Sequence, residues 1–292
     1  MAIQTGTTYV LTGPDGTRAV LNDPSDLDFV GYLDGDGGIK GLESPEVRES
    51  ADVLVEADGG VHGNFYYGRR PIVLTGWIDP DPDQATSNLR QERLFRASNA
   101  MRKDAVLTWT EDGSVARRLV LRRQQQLVIA SQRPKTFQLP LVSAQAEIEA
   151  AAEQSLVLAS GASGYLGFAS PTVSPLQSVI AAGGQQFVVN AGTTPAYPIL
   201  ELSGPITNPR VLNNATGQEF RMIYTLAAGE TLIADLRRRT VLLGGTVSRY
   251  SAVEFPASKW WALKPGNNDI RLNAASAGAG AQVVVRWRDS WI

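Results

Sequence analysis

The sequence predicts a mainly β protein, with an N-terminal β-rich domain that carries one helix and a C-terminal antiparallel β-sandwich. Short apolar runs separated by turn residues recur along the chain, which is typical of strands. Only residues 86–102 carry a convincing helical period. Residues 185–292 contain strand after strand with regular turn signals, as in a sandwich. With 292 residues, 43% of them hydrophobic, the chain is long enough for two domains with cores of their own.

The first predicted domain, residues 1–145, consists of short apolar segments between turn formers. Proline presets φ and glycine permits positive φ, so residues 14–16 (Pro-Asp-Gly) predict a tight turn between two strands. Residues 71–78 read as a compact apolar strand. Alternating prolines and aspartates at 79–83 exclude a helix or a central strand there, and they indicate a connector.

The helix predicted at residues 86–102 is amphipathic. Its candidate N-cap residues are Thr86, Ser87 and Asn88. The apolar positions on one face are Leu94, Ala97 and Met101, with Leu89 and Phe95 near its edges. Much of the remaining surface is covered by arginines, namely Arg90, Arg93, Arg96 and Arg102. This pattern predicts a single helix that lies on a sheet.

A linker region is predicted at 146–184, between the first domain and the sandwich at 185–292. Residues 143–154 are rich in alanine and glutamate, which favours a short helix or a helical linker. Residues 159–184 are dominated by glycine, serine, alanine and proline, a composition typical of a flexible connection.

Charge is balanced overall but unevenly distributed. The net charge of −2 gives no field that would attract nucleic acid, and we expect no specific nucleic-acid binding. Residues 1–60 carry three basic and twelve acidic residues, whereas residues 84–145 carry eleven basic and four acidic ones. These unlike surfaces attract each other either within a domain or between copies of the chain. The alternative is that both sets are solvated, and salt then makes the attraction modest.

The sequence offers little material for catalysis, metal binding or a cofactor. Cysteine is absent, and His62 is the single histidine, with no G-x-S-x-G motif to accompany it. The aspartates at 34–36 resemble a calcium loop, but Ile39 and Pro45 occupy its sixth and twelfth positions. The aspartates of residues 79–83 read as a solvated loop. We therefore predict no catalytic residue, no metal site and no cofactor.

Four tryptophans near the end of the chain are candidates for sugar stacking or for packing in a core or interface: Trp260, Trp261, Trp287 and Trp291. The Arg237–Arg239 triplet lies between two predicted strands and indicates a polar turn or a subunit contact. No apolar run has the length of a signal peptide or of a membrane span. We therefore expect folding in a cytoplasm without cleavage and no insertion into a membrane.

A succession of strand and turn motifs resembles the C-terminal domain of siphophage distal tail proteins and related minor tail proteins. The motifs are NAGTTPAYPILELSG at 190–204, NPRVLNNATG at 208–217, LAAGETLIAD at 226–235 and KWWALKPGNNDIR at 259–271. The first half is similar more loosely, through IVLTGWI at 72–78, the helix and FQLPL at 137–141. The order and spacing of the motifs carry the resemblance.

The resemblance implies a structural role in the virion tail after assembly in the host cytoplasm. Family members form a homohexameric ring, a hub that joins the tail tube protein to the tail tip, fibre or receptor-binding proteins. The N-terminal domain is expected to close the ring, and a galectin-like C-terminal sandwich is expected to project outward. No catalytic residue is implied.

The charge distribution fits such a ring, in which one surface meets a different surface of the next copy. We predict that the subunit interface uses arginines of the helix and of the strand that follows, namely Arg90, Arg93, Arg96, Arg122 and Arg123, against acidic residues of 1–60. Pairing within the domain is the competing expectation. Alternative functions are a carbohydrate-binding sandwich that recognises host glycan, and a glycoside hydrolase with an unrecognised carboxylate pair.

Overall fold

The fold was examined in a computed structural model, in which residues 7–35, 38–53, 60–99, 103–111, 113–130, 133–159 and 185–292 are described. The chain divides into two compact units, residues 1–152 with residue 292, and residues 153–291. Both units are built mainly of strands, so the predicted mainly β class is confirmed. The galectin-like detail stays a prediction. Within the described residues, no helix has the length and apolar character needed to cross a membrane.

The first unit contains one described helix among twelve described strands. The strands are β1 Tyr9–Thr12, β2 Arg18–Leu21, β3 Phe29–Leu33, β4 Ile39–Lys40, β5 Val47–Val53, β6 Gly60–Tyr67, β7 Arg70–Ile78, β8 Ala105–Trp109, β9 Arg117–Arg123, β10 Val128–Ile129, β11 Lys135–Ser143 and β12 Ile148–Ala150. The helix, α1, is Gln84–Asn99.

The main sheet of the first unit closes on itself. Its strands pair in the order β11-β7-β3-β2-β1-β8-β9, and β9 then pairs with β11. The pairing is antiparallel except between β2 and β3. Alternate residues point inward, as Ile72, Leu74 and Ile78 do on β7, and they form the apolar core of the unit. This alternation explains why the apolar run at 71–78 forms a strand.

Helix α1 covers the closed sheet at β2 and β3 and begins two residues earlier than predicted. Its N-terminal turn is capped by Asp83, whose Oδ1 accepts a hydrogen bond of 2.7 Å from the Thr86 amide. This bond holds the pKa of Asp83 below its ordinary value. The predicted caps at 86–88 are therefore wrong, because the residue that ends the proline-rich connector already satisfies the free amide groups.

The buried face of α1 is centred on Leu94 and Ala97, both fully buried as the helical period predicted. The chain at Gly13 approaches so closely that a Cβ there would lie 3.1 Å from the Ala97 Cα. Leu89 and Phe95 are exposed. Residues 100–102, and with them Met101 and Arg102, lie outside the described residues.

Residues 143–154 do not form the predicted helix or helical linker. They contain the end of β11, all of β12 and the start of a further strand. Ile148 and Ala150 are buried, whereas Glu149 points outward and pairs with Arg118 of β9, with 3.1 Å between Oε2 and Nε. This two-residue alternation outweighs the helical propensity of alanine and glutamate. Of the predicted linker, residues 160–184 lie outside the described part.

The second unit contains fourteen described strands. They are β13 Gln154–Ala159, β14 Gln185–Asn190, β15 Ile199–Ser203, β16 Ile206–Thr207, β17 Arg210–Asn213, β18 Gln218–Arg221, β19 Thr225–Leu226, β20 Thr231–Asp235, β21 Thr240–Leu243, β22 Val247–Ser248, β23 Gly266–Asn273, β24 Ser276–Ala277, β25 Gln282–Trp287 and β26 Ser290–Trp291.

Two antiparallel sheets form the body of the second unit. The six-stranded sheet has the order β13-β25-β15-β20-β21-β22, and the four-stranded sheet has the order β14-β23-β17-β18. Leu200 and Val285 of the first sheet and Phe220 and Ile270 of the second belong to one continuous apolar core. The two sheets thus bury their inner faces against each other.

Buried asparagines hold the turns between these strands. Asn268 is fully buried, and its amide group donates to the Lys264 and Gly266 carbonyls at 2.8 and 3.0 Å. Its Oδ1 accepts from the Lys264 amide at 3.0 Å and from Asn213 Nδ2 at 3.1 Å. Asn190 similarly donates to two carbonyl groups. These side chains replace main-chain partners that the turns lack, so they are structural.

Candidate assembly surfaces

The arginines of α1 lie along the side of the helix that faces the β2–β3 connection. Arg90 Nη1 is 2.8 Å from Asp79 Oδ2, and its guanidinium lies 5.2 Å from the centre of the Phe29 ring. Arg93 contacts Asp28. All three predicted helix arginines therefore have acidic partners in their own unit, since Arg96 lies 3.5 Å from Asp15.

A cavity of about 620 Å³ runs between α1 and the β2–β3 connection. Arg18 lines this cavity and donates hydrogen bonds of 3.2 Å to Asp26 and 3.1 Å to Asp28, which line it as well. Two leucines stand exposed at its border, Leu27 at 97% and Leu89 at 66%. Exposed apolar side chains beside a polar groove are typical of surfaces that another protein covers. We call this surface the helix groove.

The two remaining predicted interface arginines lie on β9. Arg122 Nε is 2.7 Å from Asp104 Oδ1, and this bond raises the pKa of Arg122. The main chain of Arg123 pairs with Leu141 of β11. The acidic partners of Arg93 and Arg96 belong to residues 1–60 of the same chain. The structure thus shows the competing expectation, in which these arginines pair within their own domain. A contact of these arginines with a neighbouring subunit stays a prediction.

A second exposed surface is the hairpin of β5 and β6, which pair with each other in a two-stranded sheet. Phe65 and Tyr66 are 56% and 64% exposed, and Val47 is 51% exposed. The Phe65 ring packs edge-on against Tyr67 at 5.7 Å. These residues were missed from the sequence, although three consecutive aromatic residues in a glycine-rich stretch are a usable signal.

The four candidate tryptophans do not form a common platform. Trp261 and Trp287 are 1% and 7% exposed and belong to the core of the second unit, so neither can stack on a sugar. Trp287 Nε1 also donates to the Val189 carbonyl at 3.2 Å. Trp260 and Trp291 are half-buried. The packing alternative is therefore correct for the two buried tryptophans.

Trp260 belongs to an exposed group of three rings. Tyr250 stacks on it at 6.0 Å between ring centres and with an angle of 16°, and Phe255 lies 5.8 Å from Tyr250 and 6.2 Å from Trp260. Phe220, which is buried, supports Trp260 from the core at 5.4 Å. Tyr250 and Phe255 remain 46% and 48% exposed.

Two aspartates of the proline-rich connector make contacts within the first unit. Asp79 is engaged by Arg90, and Asp83 caps α1. Within the described ranges, no group of three or more potential ligands is close enough to hold a metal ion. His62 lies on β6, where its side chain is outside the described part, as is Asp36 of the glycine-rich loop.

Comparison with known proteins identifies the second unit. Residues 191–291 match the family model of the siphovirus-type tail component, C-terminal domain. The second unit therefore carries a domain of this family, and the resemblance of the turn motifs to the C-terminal domain of distal tail proteins is confirmed.

Two solved structures are similar to this chain along almost its whole length. The crystal structure of SPP1 Dit, described as a paradigm of the hub adsorption apparatus in phages that infect Gram-positive bacteria, matches with a TM-score of 0.63 and 13% identity over 97% of this chain and 99% of that one. The phage P2 baseplate in its activated conformation with Ca contains a chain that matches with a TM-score of 0.51 and 10% identity, over 96% and 97% of the two chains. At these identities the similarity concerns the fold. No curated protein sequence matches this chain.

Proposed function

We propose that this protein is the hub subunit of a siphophage tail, which forms a homohexameric ring that joins the tail tube to the tail tip and its host-recognition proteins. The observation that carries this proposal is the combination of a tail component domain at residues 191–291 with a fold that is similar to SPP1 Dit over 97% of the chain.

Unlike surfaces on the first unit support the ring. The helix groove is bordered by arginines and by Leu27 and Leu89. The β5–β6 hairpin exposes the aromatic rings of Phe65 and Tyr66 on β6, and its other strand, β5, lies in the acidic segment of residues 1–60. A ring of identical subunits needs two such different surfaces, each complementary to the other. We infer that the hairpin of one copy seats beside the helix groove of the next, where Arg96, whose side chain is 61% exposed, can reach a second acidic partner.

The test is the mass and shape of the purified full chain. Light scattering is expected to give six times the chain mass of 31.4 kDa, and negative-stain images are expected to show a ring with a central opening. Phe65→Ser and Leu27→Asp should each lower the mass toward that of one chain. Val128→Ser is the matched control, because Val128 is 57% exposed on β10 and contributes to neither surface.

A chain that stays monomeric at high concentration, both alone and in the presence of purified tail tubes, would refute the ring. Rings that persist in both interface variants would refute the assignment of the surfaces and leave the ring itself intact.

A further inference from the structure

The β20–β21 turn of the second unit departs from the usual choice of residues for its geometry. Asp235 Oδ1 accepts hydrogen bonds from the Arg237 and Arg238 amides at 3.0 and 2.9 Å, which fixes the turn. Arg239 then adopts a positive φ of 55°. Glycine or asparagine is the ordinary residue in this left-handed region, where other side chains strain the backbone. The nearby tight turn follows the rule, with positive φ values at Gly244 and Gly245.

Arginine at such a position indicates a use for its side chain. Among the described residues, no hydrogen bond, ion pair or ring contact of the Arg239 side chain compensates for this backbone strain. Strained residues of this kind concentrate at functional sites. Its neighbour Arg238 projects into solvent, with a side chain 80% exposed and only a long contact of 3.7 Å to Asp235. The guanidinium of Arg237 lies 5.0 Å from the centre of the Tyr197 ring, and this contact holds the turn that carries Arg238 and Arg239.

The strand register brings this turn beside the exposed ring group of Tyr250, Phe255 and Trp260. Leu242 pairs with Ser248, and the Arg249 amide donates to the Val241 carbonyl at 2.8 Å. Tyr250 begins the short 3-10 helix Tyr250–Ala252, which lies against β21, the strand that starts at Thr240, one residue after Arg239. Two exposed arginines and three aromatic rings therefore lie at one edge of the unit, which we call the arginine–aromatic edge.

We propose that the arginine–aromatic edge docks a second tail protein through a segment of that protein that carries carboxylates around an apolar centre. Tyrosine, tryptophan, phenylalanine and arginine are the residues enriched where proteins bind one another. The cations of the turn select an acidic partner, since charge complementarity sets which surfaces meet. The three rings pack against one another at angles of 16° to 48°, so they form no common flat platform for a sugar and suit an apolar side chain better.

This inference rests on the proposed hub function only for the statement that the partner is a tail protein. Docking is measured as binding to the single chain, whereas the ring is measured as mass, so that failure of one is distinguishable from failure of the other.

The experiment measures the binding of a labelled peptide of glutamate, leucine and glycine to the full-length protein by fluorescence anisotropy at low salt. Arg239→Gly combined with Arg238→Ala should weaken binding about tenfold, and Tyr250→Ala should weaken it similarly. Replacing the glutamates of the peptide by glutamine should have the same effect. Arg210→Ala is the matched control, because Arg210 is an exposed arginine on β17 of the same unit, and it should bind like the unaltered chain.

The single variant Arg239→Gly separates docking from folding. Because glycine relieves the positive φ, this variant should keep or raise the melting temperature, by about 2 °C, while the affinity for the peptide falls. Unchanged affinity in the double variant would overturn the proposal, and so would equal losses in Arg210→Ala. A neutral oligosaccharide that binds more tightly than the peptide and depends on Tyr250 would overturn it in favour of a glycan site.

Discussion

The buried asparagine at the turn of the KPGNN motif provides a quantitative test of how this fold is held. Asn268 is fully buried and makes four hydrogen bonds, to two carbonyl groups, one amide and the side chain of Asn213. In Asn268→Ala all four are lost. A buried hydrogen bond contributes about 1 kcal/mol net, so the four amount to about 4 kcal/mol. Lys264 is exposed and its groups can bond water in the variant, which lowers the expected loss to about 3 kcal/mol.

The assay is urea unfolding of the full-length protein, followed by tryptophan fluorescence. Asn267→Ala is the matched control, because Asn267 precedes Asn268 on the same strand and is exposed. Its free energy of unfolding should change by less than about 0.5 kcal/mol. If Asn268→Ala lost less than about 1 kcal/mol, the hydrogen-bonded turn would be incidental to stability and the reasoning would be refuted.

Three further predictions concern other parts of the molecule. Gly192→Ala should destabilise the second unit by about 2 kcal/mol, because its Cβ would lie 1.9 Å from the Ser290 carbonyl oxygen. Gly35→Ala is the control and should not destabilise the chain, because no atom lies within 4 Å of its Cβ. Thermal unfolding measures both variants. The pKa of Asp83 is lower in the folded chain than in the unfolded one. The stabilisation that the Asp83 carboxylate provides is therefore present above about pH 4 and is lost as the pH falls through the pKa of the folded chain. On acidification, the melting temperature of Asp83→Asn should therefore fall less than that of the unaltered chain. Arg70→Lys should lower the free energy of unfolding by about 2 kcal/mol, because the fully buried guanidinium bonds three main-chain carbonyl groups that an ammonium cannot reach together; chemical unfolding tests it.

The helix and most strands were predictable because their patterns are local. Leu94 and Ala97 are three residues apart in a polar stretch and are both buried. The cap was missed because the proline-rich connector was read as a separate feature, although Asp83 is its last residue. The strand at Ile148–Ala150 was missed because composition favoured a helix over an alternation only three residues long.

The positions of Trp260 and Trp261 in the sequence could have predicted that only one of the two is buried. Trp260 and Trp261 are neighbours in an extended segment, so their side chains point to opposite sides. One is therefore buried in the core and the other joins the exposed rings. The sequence analysis treated the two as equivalent. The partners of the helix arginines, in contrast, lie far away in sequence, as Asp28 and Arg93 do, and no local pattern contains them.

The buried asparagines of the sequence motifs and the exposed residues of the proposed assembly surfaces are different residues. The motif residues Asn190, Asn213 and Asn268 are fully buried, and their side chains hold turns of the second unit. The helix groove, the β5–β6 hairpin and the arginine–aromatic edge depend instead on exposed side chains. Substituting a turn asparagine should therefore destabilise the unit, whereas substituting a surface residue should leave the stability unchanged in a chain that no longer assembles. A comparison of the two kinds of variant distinguishes residues that are needed for folding from residues that are needed for assembly. Neither kind of variant makes this distinction alone.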